Sequence, residues 1–434
     1  AGAGAGAGAG ASAGVASGSS GKATSGTSSG SSTGGGGMDG GTAEGGGDAD
    51  LGDAGAADCL MPTTPSACAP PADLTKPICK LSLTGCMMQA NPTQFAAAAH
   101  PYEVNSPLWS DNAAKTRAFV LPAGGKIHVL DCKADGGADL KSCVAPDLAP
   151  TDLAVDDGRW IFPSGTVMIK NFMFGGKLVE TRLLMHVDTA TATTTGYDWV
   201  GYSYAWNEAQ TEALVNPTTR VEVSFDTGTD AGTVSWRYPD RVDCNTCHNQ
   251  STGGGTLGLE TDQMNRVVGA TNQIDAFAAL GLFDVAPAKP YQAALVEPYA
   301  NAQLGLTGTA GATVEEEARS YLAVNCGFCH RPDYNDLGFD LRYNVTLANS
   351  GLCGTQAQKP ATGVDAGNTL LFDPGHHADS ALWIRPSESI PASAATDLDA
   401  PREYYRMPQV ATYVVDPQGT AIIAQWIDSM NSCP

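Results

Sequence analysis

Charge is scarce in this chain. Only 16% of its 434 residues are Asp, Glu, Lys or Arg, and the basic ones are the scarcer kind, 24 Lys+Arg against 46 Asp+Glu. A net charge of −22 argues against nucleic acid, whose phosphates demand a basic face. It equally disfavours docking on anionic lipid through a polybasic patch. An acidic shell that keeps the chain soluble accounts for the balance without a partner. Long apolar runs are also missing: nothing approaches the ~18 residues that a membrane span needs. Histidine is rare, with 7 in the whole chain. Ala1 is preceded by neither a methionine nor a charged-then-apolar leader, so a signal peptide is expected to have been removed. A lipid anchor ahead of Ala1 is left open.

Two of those few histidines stand at the same place in a repeated motif, "RVDCNTCHNQ" (241–250) and "YLAVNCGFCHRP" (321–332). Each reads Cys-x-x-Cys-His, the attachment signature of c-type haem. Two thiols at that spacing form thioethers to the two porphyrin vinyl groups, and the next histidine is placed to ligate the iron. Two covalently bound haem c groups are therefore expected, on Cys244, Cys247 and His248 and on Cys326, Cys329 and His330. A four-thiolate zinc site usually has ~15–20 residues between its pairs and does not need the paired histidines. A redox dithiol is equally indifferent to them.

The other eight of the 12 cysteines form an even set, as an oxidising compartment favours. Proximity suggests Cys59–Cys68, Cys79–Cys86 and Cys132–Cys143, although the four N-terminal cysteines allow three connectivities. Cys353 and Cys433 are left to pair with each other across the last segment.

The segments read as α+β. Residues 1–57, Gly/Ala/Ser-rich, have almost nothing apolar to bury and are expected to be a disordered tether. A Cys-rich lead-in covers 58–100. Short β-branched and aromatic runs punctuated by Gly and Pro over 101–240 suggest a β-rich, sandwich or jelly-roll-like domain. The first haem segment spans 241–312, where "TNQIDAFAALGLF" reads as a helix stopped at Gly281. Residues 313–434 have the plan of an α-helical class I cytochrome c domain. Thr313 and Glu316 form a capping box ahead of the helix that delivers Cys326. Asp416 and Pro417 start a C-terminal helix with the apolar stripe Ile422, Ile423, Trp426, Ile427 and Met430.

In "YYRMPQV", Met407 is the candidate sixth ligand opposite His330, stiffened by the following proline; His/Met ligation raises a haem's potential and suits electron transfer. For the first haem the partner of His248 stays open between Met264, His186, and neither. His376 and His377, in "DPGHHADS", look like a solvated turn. Trp199, Tyr202, Tyr204 and Trp206 alternate as strand residues do, and core packing explains them most simply.

From about residue 100 onward the chain resembles a group of secreted bacterial dihaem c-type cytochromes. The residues that carry the resemblance are "PYEVNSPLWSDNAAKTR" (101–117), "FPSGTVMIKNF" (162–172), "VETRLLMHVD" (179–188), "GYSYAWNEAQTEA" (201–213), "YPDRVDCNTCH" (238–248), "LGLETDQMNR" (257–266), "EARSYLAVNCGFCHRP" (317–332), "LGFDLRY" (337–343), "RMP" (406–408) and "QWIDSMNSC" (425–433). The resemblance implies a periplasmic or cell-surface electron carrier with Met407 in the family's Met-Pro. Redox proteins are the expected partners, a periplasmic or secreted dehydrogenase or another cytochrome among them. The family commonly has Leu where Met264 stands, which weakens Met264 as a required ligand. The expected function is single-electron transfer outside the cytoplasm, with no catalytic residue. The alternatives are a dihaem peroxidase-like enzyme, or a surface-binding module carrying haem domains.

Overall fold

The computed structural model describes residues 59–130, 158–188, 190–191, 198–216, 221–226, 233–248, 255–332, 337–359, 364–388, 406–408 and 412–434. The expected tether and the Cys132–Cys143 pair lie outside them.

The chain is β-rich and built on one open antiparallel sheet of six strands. In chain order these are β1 (His100–Tyr102), β2 (Ala114–Val120), β3 (Val167–Phe174), β4 (Lys177–His186), β5 (Trp199–Trp206) and β6 (Ala213–Val215), and they lie side by side in that order. β3 and β4 are joined by Gly175-Gly176, both at positive φ (54° and 80°), the backbone that a two-residue hairpin turn requires.

Among the described residues no second sheet of comparable size covers this one. On one face Val167, Ile169, Leu183, Met185, Tyr202 and Tyr204 pack against Leu81, Cys86 and Met87 of the Cys-rich lead-in. On the other face Phe119, Met168, Leu184 and Trp199 pack against Trp160, Leu259, Met264, Ile274 and Phe277. A ribbon of β7 (Val221–Asp226) and β8 (Thr233–Tyr238) adds Trp236 and Tyr238 beside Phe172 and Phe174. Period-2 patterning reports that a strand is covered, not what covers it. β5 is buried at every position, and the Tyr202 and Tyr204 hydroxyls donate to the Leu74 and Ile78 carbonyls, each at 2.9 Å. These aromatics are core.

Six helices are found among the described residues: α1 (Arg241–Cys247), α2 (Thr261–Met264), α3 (Gln273–Ala279), α4 (Val314–Asn325), α5 (Ala381–Ser387) and α6 (Pro417–Ser429). Gly281 follows α3 at φ 67°, as expected of a helix stop. The Asp416 carboxylate accepts from the N–H groups of Gln418 and Gly419 at 3.1 and 3.0 Å and so caps α6. α4 and α6 share a core of Ala318, Tyr321, Leu322, Ile422, Ile423, Trp426 and Ile427. At Gly419 a Cβ would lie 2.3 Å from the Tyr321 ring, so glycine permits their close approach.

The N-terminal disulfides correct the sequence expectation. Cys59 pairs with Cys79 and Cys68 with Cys86, an interleaved pattern in place of two local loops. Backbone pairing sets it: Leu60 N–H donates to the Pro77 carbonyl and Cys79 N–H to the Leu60 carbonyl, each at 2.8 Å. Ser66 N–H likewise donates to the Leu83 carbonyl at 2.9 Å. Cys353 and Cys433 are joined as expected, across a sequence separation of 80.

Candidate functional site

The second motif begins where α4 ends. The Thr313 hydroxyl accepts from Glu316 N–H at 3.2 Å, and the Glu316 carboxylate accepts from Thr313 N–H at 2.8 Å. Cys326 is the C-cap, its N–H donating to Leu322 at 2.8 Å, and the turn continues with His330 N–H on the Cys326 carbonyl at 2.9 Å. Gly327 lies so close to the backbone that a Cβ would be 2.6 Å from the Ala323 oxygen. Only glycine fits there.

Cys326, Cys329 and His330 open into a cavity of about 270 Å³, with Phe339, Leu341, Leu352, Leu371 and Leu382 as apolar wall. Met407 and Pro408 line the same cavity. The fold therefore brings together two residues that the sequence separates by most of the last segment. His330 stacks on Phe339 with centroids 4.7 Å apart, and its buried Nδ1 has no hydrogen-bond partner among the described residues. Burial, and then Arg385, push its imidazole down to about 4, so it is neutral at pH 7.

The segment that presents Met407 is tied to the other end of the chain. One Asp111 oxygen accepts from the Thr412 hydroxyl at 2.9 Å, Tyr413 N–H at 2.7 Å and Val414 N–H at 2.8 Å. Arg406 donates to the Val414 carbonyl at 2.6 Å, as does the Trp109 indole N–H at 2.9 Å.

The first motif is on α1, whose N-terminus is capped reciprocally by Asp240 and Asp243. Cys244 sits directly on Gly201 of β5, where a Cβ would be 2.6 Å from its Sγ. His248 Nδ1 is 2.6 Å from the Gly255 carbonyl. A carbonyl only accepts, so Nδ1 carries the proton and Nε2 keeps its lone pair, the tautomer a metal-ligating histidine needs. Burial, and then Lys170, hold this imidazole down at about 3. Gly255 is at φ +83°, and a Cβ on it would be 2.1 Å from the Trp199 indole nitrogen.

His186 stacks flat on Trp199, centroids 4.5 Å and planes 5° apart. Met264 is fully buried in the core with Trp160 and Phe277, its sulfur 3.9 Å from the Gln273 amide. Both side chains are thus engaged in packing. His377 hydrogen-bonds Asp428 at 2.7 Å on the surface, and the neighbouring His376 is exposed, the solvated turn expected of them.

The two motifs are neighbours. Thr246, between the thiols of the first, is part of the wall of the cavity that holds the second. Burial, and then Cys329, push the Cys247 thiol up to about 12. Burial puts Cys244, Cys326 and Cys329 at about 12 as well, the opposite of the depressed value that a redox dithiol uses. Among the described residues no three of His, Cys, Asp and Glu converge as a metal-binding group.

Sequence reading missed Gly255 as the carbonyl partner of His248, and Asp111 as the clamp on the Met407 segment. Asp111 has no local signal, because the residues it holds lie 301 to 303 positions further on. Gly255 stands only 7 residues after His248, inside a Gly-rich run that does not single it out. No family model, curated protein or solved structure matches this chain.

Proposed function

We propose that the protein is a dihaem c-type cytochrome that carries single electrons between redox proteins outside the cytoplasm. The observation that carries the reading is the shared cavity of Cys326, Cys329, His330 and Met407, with the first motif's Thr246 in its wall.

The residues suit the group that the motifs imply. Cys326 and Cys329 would hold one haem and Cys244 and Cys247 the other, and an iron that cycles between two oxidation states is what the group supplies when bound. His330 and His248 are neutral at physiological pH and hence competent to donate a nitrogen lone pair. The Gly255 carbonyl fixes which nitrogen His248 offers. Met407 offers a thioether to the second site. The apolar wall of Phe339, Leu341, Leu352 and Leu371 excludes water there, which lowers the reorganisation that accompanies a change of charge. Residues 313–434 take the part of a class I cytochrome c domain in this reading, and the β-rich part carries the first site. The three disulfides found among the described residues are compatible with an oxidising, periplasmic or cell-surface location.

Optical and EPR spectra of the purified oxidised protein test the reading. Two c-type haems are expected, one with the weak near-infrared band of methionine ligation, and Met407→Ala should abolish that band. If the band survives, Met407 is a packing residue. Robust, saturable peroxide reduction by the protein would favour the peroxidase alternative.

A further inference from the structure

Three cations lie abreast on the sheet face that carries the first motif. Arg117 of β2 is opposite Lys170 of β3, and Lys170 is opposite Arg182 of β4. Residues paired directly across strands have Cβ atoms about 5 Å apart, and like charges in such pairs repel. A row of three positive charges in a chain with so few basic residues calls for negative charge to meet it.

The protein supplies part of it. Arg182 is held by Glu180 through two hydrogen bonds of 2.7 and 2.9 Å. Glu180 is fully buried, and its oxygens also accept from the Ser203 hydroxyl at 2.6 Å and the Trp236 indole at 2.9 Å. Its capacity is used. Lys115, further along β2, donates to the Ala113 carbonyl at 2.8 Å. Arg117 and Lys170 have no carboxylate partner among the described residues. Burial, and then the neighbouring Arg117 and Arg182, push the Lys170 ammonium down to about 7.

Both side chains line a second cavity, of about 60 Å³, and Phe328, between the thiols of the second motif, is also in its wall. Glu260 and Asp262 line it too, and each has other partners. The first motif is adjacent: Cys244 rests on Gly201, which is on β5 two residues from Ser203, the residue paired with Arg182.

We propose that Arg117 and Lys170 are the receptor for the two propionate carboxylates of the porphyrin attached at Cys244 and Cys247, an inference that rests on the cytochrome reading above. Two cations with no carboxylate at ion-pair distance among the described residues would meet two carboxylates. Arg117 and Lys170 are positioning residues in this role. They fix the orientation of the porphyrin and, by screening its carboxylates, favour the reduced iron.

The test is spectroelectrochemistry of the holo-protein carrying Lys170→Met or Arg117→Gln. Each should lower one of the two haem midpoint potentials and leave the other in place. Lys170→Arg should restore it, and the exposed Lys177→Met should change neither. Adding acetate to the unaltered protein should move no midpoint; a shift would mean that the row takes free anions, and would overturn the assignment. Unchanged potentials in variants whose mass shows both haems would overturn it as well, while leaving the cytochrome reading intact. A chain that bears no haem would sink that reading instead. Where a variant loads poorly, melting temperature decides. Lys170→Met should raise it in a Cys244→Ser/Cys247→Ser background, where it only relieves repulsion, and lower it in the attached protein. The same sign in both backgrounds contradicts the proposal.

Discussion

The Nδ1 of His248 donates its proton to the carbonyl of Gly255 across 2.6 Å, and Gly255 can hold that carbonyl in place only because it is glycine. Its φ of +83° and its contact with the Trp199 indole both exclude a side chain. Gly255→Ala is expected to cost about 2 kcal/mol in backbone strain. It should also free His248 to rotate or change tautomer, so that the EPR signal of the first haem broadens or changes spin state while the second is unaltered. An unchanged first signal would show that the hydrogen bond does not orient the imidazole.

Asp111 and Met407 are coupled in the same indirect way. One Asp111 oxygen collects three donors from residues 412–414, just beyond the methionine. Asp111→Ala strands those donors and should cost about 3 kcal/mol. The near-infrared methionine band should weaken in this variant before the far-ultraviolet helix signal does, in a thermal scan. Simultaneous loss of both would mean that Asp111 supports the fold and not the ligand.

The Cys353–Cys433 bridge encloses the Met407 segment within a separation of 80 residues. Chain entropy assigns such a closure about 4 kcal/mol. A Cys353→Ser/Cys433→Ser chain should denature at correspondingly lower urea and lose methionine ligation first. Peptide mapping under non-reducing conditions should also recover Cys59–Cys79 and Cys68–Cys86, and not the local pairs.

The cap of α4 makes the helix that delivers Cys326 sensitive to acid. The Thr313 N–H, and then its hydroxyl, hold the Glu316 carboxyl below its ordinary value of 4.5. A depressed carboxyl means that the unfolded chain binds more protons in this range. The contribution is therefore present above about pH 4.5 and lost as the pH falls through the lower, folded value. Thr313→Ala should lower stability by about 1 kcal/mol at pH 7. Its stability should then fall less steeply than that of the parent between pH 4.5 and 3, as urea titrations at several pH values would show.

How far the sequence could be read follows from how local each signal is. The capping box at Thr313, the Asp416–Pro417 helix start and the Gly281 stop are contained within a few residues, and each is found where the pattern placed it. The strands were legible from alternation, but their covering was not. The residues that bury Phe119 and Met168 come from 160 and from 259–277, and no periodicity within a strand points to them. Disulfide connectivity failed for a related reason, because Leu60 pairs with Ile78 and carries Cys59 past its nearest cysteine. The cationic row was visible only as isolated basic residues in apolar strands. Register alone turns Arg117, Lys170 and Arg182 into neighbours.

The central claim is that Cys244, Cys247, Cys326 and Cys329 carry two haem groups. Intact mass spectrometry of the chain, made in a host with a c-type maturation system, tests it most directly. The account predicts a mass above that of the polypeptide by two haems, which acid-acetone does not remove. A colourless protein at the polypeptide mass, or one whose four thiols bind zinc, would contradict it.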